Sequence, residues 1–147
     1  MVRYNWLVNE KSKKNLQQFG LILLIITLGT AIDWVVHHTS SNFSVPFEYY
    51  PNKIIFGAFW GFVSFKVLRH WFKTPFSIAA GICAVVSIVL QTKYFLQGYD
   101  IRFVILFMFL HFGMFILPAI PIFKRHWHVF YPNLNNGREF ENEQLKR

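Results

Sequence analysis

Two ionisable side chains sit well inside long apolar stretches of this chain, Asp33 and His111. Within a bilayer, charging either one costs about 3 kcal/mol or more unless it is paired or hydrated, so each marks a position where chemistry or binding is expected. At 1.5 Å rise per residue, Asp33 lies roughly 5 Å from the end of its stretch and His111 roughly 13 Å from Arg102, at the start of its own. Side chains on a helix lean toward its amino terminus, so on antiparallel helices these two lean toward each other. Lys53 borders the same level. Asp33, Lys53 and His111 therefore form a candidate polar or proton-responsive site, provided that the first and last helices are neighbours. The alternative is local: Asp33 contacts His37 one turn on, and His111 bonds a carbonyl oxygen.

A weaker cluster lies just beyond, in His37, His38 and Glu48. Asp33 and His37 are four apart, which points two potential metal ligands the same way on a helix. His38 faces another direction, and no second ligand pair follows at a recognised spacing. His126 and His128 fall at the opposite membrane face, about 30 Å away, and His111 has no mate at its own depth for a bis-histidine haem. The single cysteine, Cys83, excludes an intramolecular disulfide, a CxxC redox pair and a cysteine-based zinc site. Ser40, Ser41 and Ser44 lie near His37 and His38, but no nucleophile elbow, phosphate loop or pair of catalytic carboxylates accompanies them. The expectation is a noncatalytic protein without a cofactor.

The elements that must position these residues are four apolar blocks, Phe19 to Val36, Ile54 to Leu68, Phe76 to Leu96 and Phe103 to Phe123. A hydrocarbon core of about 30 Å needs roughly 20 helical residues. The expected spans are 19–36, 53–71, 75–96 and 102–123, the second lengthened by Asn52 and Lys53 at one boundary and by Arg69 to Phe72 at the other, with Lys66 snorkelling. Residues 1–18 then form a basic cytoplasmic segment and 124–147 a polar cytoplasmic tail. The fold class expected is all-α, an integral membrane four-helix bundle.

Charge supplies a separate test of this topology, since cytoplasmic flanks are enriched in Lys and Arg. Arg3, Lys11, Lys13, Lys14, Lys66, Arg69, Lys73, Lys124, Arg125, Arg138, Lys146 and Arg147 fall on one side, and only Lys53, Lys93 and Arg102 on the other. That asymmetry fits four spans with both termini cytoplasmic in a cell membrane. A rival reading makes the start a cleaved secretory signal, with Gly29-Thr30-Ala31 as the cleavage site, but the apolar run continues through Val36. The formal charge of +8 sits in flanks of apolar blocks, which matches lipid headgroups and not a nucleic acid.

Helices pack in lipid through small residues and interhelical polar contacts. Gly57 with Gly61, Ser77 with Gly81, Ala80 with Ala84, and Thr27 with Ala31 are the expected seams. Pro118, reinforced by Pro121, is expected to kink or end the last helix. Trp127, Phe130 and Tyr131 read as an inner interfacial belt before Asn135-Asn136-Gly137, Tyr49 and Tyr50 as an outer one, and Asn42-Phe43-Ser44 as a formal glycosylation sequon. Three functions remain in view. The first is an accessory or binding component that handles a lipid-linked or amphiphilic molecule or stabilises a membrane assembly. The second is a proton-linked transporter or channel subunit using Asp33 and His111, and the third a metal-dependent membrane enzyme. Membrane lipids are the expected partners, together with another membrane protein or further copies of the chain.

Overall fold

The computed structural model describes residues 2–39 and 45–131, with side chains from residue 10 onward. The sequon at 42–44, Ser40, Ser41 and the tail from residue 132 lie outside the described residues. Among those described there is no strand. Four long helices, α1 (Val2–His38), α2 (Tyr49–Leu68), α3 (Pro75–Leu96) and α4 (Ile101–Arg125), are followed by a single turn, α5 (Trp127–Phe130). Each long helix packs on the next, and α4 returns to α1, which supplies the adjacency that Asp33 and His111 require.

Local chemistry accounts for the boundaries on either side of the α3–α4 turn and for the start of α3. Thr74 caps α3 by accepting the Ser77 backbone N–H at 3.1 Å, and Pro75 occupies the first position, where its missing donor is harmless. Asp100 caps α4 through the Arg102 N–H at 2.7 Å. Between them Gly98 takes φ +83°, a left-handed turn conformation that costs glycine little.

Two boundaries differ from expectation. Residues 1–18 and 19–36 do not separate, because α1 runs 37 residues without a break. Lys, Gln and Asn between residues 10 and 18 change the preferred solvent but leave the i to i−4 ladder intact. Helix α2 begins at Tyr49 and ends at Leu68, in place of 53–71. Pro51 falls in its first turn, where no donor is needed, so Tyr49 and Tyr50 join the helix and Lys53 moves one turn inside it.

Helices α1 (from Glu10), α3 and α4 are long and apolar enough to cross a membrane. Helix α2 has 20 residues, but its first turn carries Tyr-Tyr-Pro-Asn-Lys, and it does not belong with those three. Large apolar side chains such as Leu24, Ile55, Phe59, Ile88, Leu106 and Leu117 stand exposed around the outside.

Inside, α1 presents Gln18, Ile22, Ile25, Ile26, Thr30 and Asp33 at helical spacing, so the carboxylate continues the core stripe. Gly57 and Gly61 face that stripe, and a Cβ on Gly61 would stand 2.9 Å from Ile22. The pair is therefore an α1–α2 seam within the chain. Thr27 and Ala31 are exposed, contrary to the expected seam, because the α1 stripe passes one residue away through Ile26 and Thr30.

Pro118 and Pro121 do not end α4, which continues to Arg125. A proline leaves the carbonyl four residues earlier without its usual donor. For Pro118 that carbonyl belongs to Met114, and it lies against Gly29 of α1, 3.1 Å from where a Cβ would stand. The last turn also differs from an interfacial belt. Phe130 is fully buried, edge-on to Phe65 with ring centroids 5.1 Å apart and 4.2 Å from the Phe123 ring. Tyr131 donates to the Phe72 carbonyl at 2.6 Å, and Gln18 donates to the Val129 carbonyl at 2.9 Å while accepting from Lys66 at 2.7 Å. The segment after α4 thus folds back as a plug over that end of the helices.

Candidate functional site

At the other end the four helices converge on one buried ionic cluster. Asp33, Lys53 and His111 are each at least 96% buried. The Lys53 ammonium donates to Asp33 Oδ2 at 2.7 Å and to the Tyr49 hydroxyl at 3.3 Å. The second carboxylate oxygen, Oδ1, has His37 Nε2 at 3.6 Å and His111 Nε2 at 3.7 Å, distances of charge contact and not of hydrogen bonding. The aromatic rings of Tyr49 and Phe115 lie 5.2 and 5.5 Å from the ammonium, within cation–π range.

The imidazole of His111 has a defined orientation. Its Nδ1 lies 2.7 Å from the Phe107 carbonyl, which accepts and so places the ring proton on that nitrogen. Nε2 is left facing Asp33 and the Tyr49 hydroxyl, the latter at 3.4 Å. Gln91 of α3 lies against the same ring, its amide nitrogen 3.0 Å from Nδ1, a contact and not a hydrogen bond while Nδ1 gives its proton to Phe107. Both readings of the histidine therefore coexist: it bonds a carbonyl, and it faces Asp33.

Of these side chains, Tyr49, Lys53 and Gln91 line a groove between α2 and α3, about 860 Å³ in volume. Lys53 and Gln91 line its depth, Tyr49 and Tyr94 its flanks, and Glu48 its mouth. Ile55 and Phe56 also line it and are 69% and 49% exposed, so the groove is open along the apolar outer flank as well as beside Glu48 and Lys93. Among the described residues, several buried polar atoms near this level have no partner: Thr30 Oγ1, the Tyr50 hydroxyl, Ser87 Oγ and the Gln91 amide oxygen. Buried polar atoms are ordinarily satisfied, so these favour a hydrated or ligand-bearing interior. Below them Phe115, Phe65, Phe123 and Phe130, all fully buried, fill the core to the plugged end.

The outer cluster does not assemble. Asp33 and His37 meet, but His38 Nδ1 donates to the Trp34 carbonyl at 2.8 Å, with its ring over the Trp34 indole, 4.2 Å between centroids. Glu48 is an exposed residue ahead of α2. Among the described residues no group of three His, Cys, Asp or Glu side chains could hold a metal ion. The hundred-degree turn between successive helical residues is the reason, since it aims His37 and His38 apart.

Tyr49, Gln91 and Tyr94 are members of this site that sequence reasoning missed. Gln91 had a legible signal: it continues the buried α3 stripe of Ala79, Cys83 and Ser87 at steps of four. Tyr49 looked interfacial because the helix was expected to start after it. No protein family, curated protein or solved structure matches the chain.

Proposed function

We propose that this is a noncatalytic, four-span protein of the cell membrane, both termini cytoplasmic, that binds an amphiphilic molecule. The observation that carries the reading is the Lys53–Asp33 pair at 2.7 Å, whose lysine lines an 860 Å³ groove with exposed apolar walls at Ile55 and Phe56. Polar chemistry at depth and exposed apolar walls at the opening match an amphiphile entering sideways from lipid. The 20 residues of α2 give about 30 Å of helix, enough to span when its ends snorkel. Basic residues gather at the plugged end, which makes that end cytoplasmic and the groove end external. Presenting such a molecule to another membrane protein, or to copies of this chain, belongs to the same reading.

Native mass spectrometry of full-length protein purified in mild detergent tests it. One amphiphile per chain is expected, and Val89→Trp, which places an indole in the groove, removes it while the fold is retained. Equal retention in this variant, or no bound amphiphile in the parent protein, overturns the reading.

Proton-linked transport is the second reading, and the 3.7 Å approach of His111 to Asp33 is what favours it. The aromatic seal of Phe65, Phe115, Phe123 and Phe130 weighs against a through-path in a single chain. Flux that titrates near neutral pH in sealed proteoliposomes, and that disappears in both Asp33→Asn and His111→Ala, would put transport first.

A further inference from the structure

Resting on the amphiphile-binding reading, we infer that the groove between α2 and α3 takes an uncharged, hydroxyl-bearing head, that of a glycosylated lipid, in preference to a phosphate.

Charge balance comes first. Among the described residues, the buried charged group lining the groove is Lys53, and its ammonium is already matched by Asp33 at 2.7 Å. His37 and His111 approach that carboxylate from its other oxygen. At the mouth Glu48 and Lys93 carry opposite formal charges. A phosphate seated beside Lys53 would set a second anion against Asp33 in a region of low dielectric, where unmatched charge is expensive. An uncharged head leaves the pair undisturbed.

Hydrogen-bond inventory comes second. The Lys53 ammonium has three N–H donors and spends two on Asp33 and Tyr49, leaving one toward the groove. The oxygen of the Gln91 amide, on a residue 98% buried, has no partner among the described residues. Asn52 adds a second amide, and the Tyr94 hydroxyl, bonded to that of Tyr49, adds a further polar tip. This is a mixed set of donors and acceptors. A hydroxyl group serves both kinds, whereas an ionised phosphate oxygen only accepts.

The walls come third. Tyr49, Tyr94 and Tyr99 all line the groove, and Tyr94 and Tyr99 meet edge-to-face with centroids 5.5 Å apart. Flat rings with polar tips suit a sugar, whose C–H face is apolar and whose rim is hydroxylated. Ile55, Phe56, Val89 and Leu90 continue the groove as an apolar track for the first carbons of the chains.

The test uses full-length protein in lipid nanodiscs and three probes with identical chains: monoglucosyl dioleoylglycerol, dioleoylphosphatidic acid and dioleoylglycerol. The glucosyl lipid is expected to bind saturably and at least ten-fold more tightly than either of the others. Gln91→Leu is expected to erase that preference. Asn52→Ala, at an exposed position that folding does not need, is expected to reduce it several-fold. Phosphatidic acid binding as tightly as the glucosyl lipid, or dioleoylglycerol doing so, overturns the inference about the head and leaves amphiphile binding standing. No saturable binding of any of the three overturns both.

Discussion

Lys53 on α2 reaches across to Asp33 on α1, with its ammonium 2.7 Å from Oδ2 and both side chains 2% exposed. An ion pair so far from solvent gains little net stability relative to a well-packed apolar pair, yet leaving one member alone is costly. The two residues are therefore energetically tied, and several consequences can be measured.

Removing only the cation strands a buried carboxylate. Lys53→Met is expected to lower unfolding free energy by about 3–5 kcal/mol. Combining it with Asp33→Leu is expected to recover most of that loss. Cys83, the single thiol and 1% exposed, provides the readout, since a thiol-reactive dye labels it only when the helices separate. Strictly additive losses in the double variant would show that the two side chains are not coupled.

The α1–α4 contact tolerates no side chain at Gly29. A Cβ there would fall 2.3 Å from Phe115 Cδ1, with the Met114 carbonyl behind it, whereas one at Gly113 would meet nothing within 4 Å. Gly29→Ala is expected to cost about 1–3 kcal/mol through overpacking, and Gly113→Ala to cost nothing measurable. Equal dye-labelling midpoints for the two variants would count against this packing.

Burial of the plug can be weighed in the same assay. Phe130→Ala leaves a hole between Phe65 and Phe123 and is expected to cost about 3–5 kcal/mol. Tyr131→Phe, which removes only the hydroxyl bonded to Phe72, is expected to cost about 0.5–1.5 kcal/mol. If Phe130→Ala behaves like a surface substitution, the aromatic residues after α4 are interfacial anchors after all.

The proposed four spans would place both termini on one side. Reporter fusions at residue 1 and at residue 147 are expected to give cytoplasmic signals, and cysteines introduced at Asn52 and Gln97 to be labelled only from outside. A terminal pair on opposite sides would mean three spans, with α2 failing to cross.

How much of this was legible beforehand depends on what kind of information each feature needs. Hydropathy and helical geometry depend on neighbours along the chain, so the helices expected at 75–96 and 102–123, the lean of His111 toward Asp33 and the seam role of Gly57 and Gly61 could be read from the sequence. The start of α2 could not. Whether Tyr49-Tyr50-Pro51 ends a loop or opens a helix depends on what those rings pack against, and that choice carries Lys53 from a membrane boundary into contact with Asp33. That the prolines of α4 do not end it was also beyond local pattern, since the freed Met114 carbonyl rests beside Gly29 on another helix.

The sequence by itself determined an all-helical chain and the few polar residues available to a buried site, because solvent preference and helical periodicity are local properties. Only the tertiary structure decided which of them meet. It brought Lys53, Tyr49 and Gln91 to Asp33 and His111, turned His38 away toward Trp34, and drove Phe130 into the core. Each of those outcomes is set by contacts between helices distant in sequence, where an unmatched charge or an unfilled space costs several kcal/mol and local pattern says nothing.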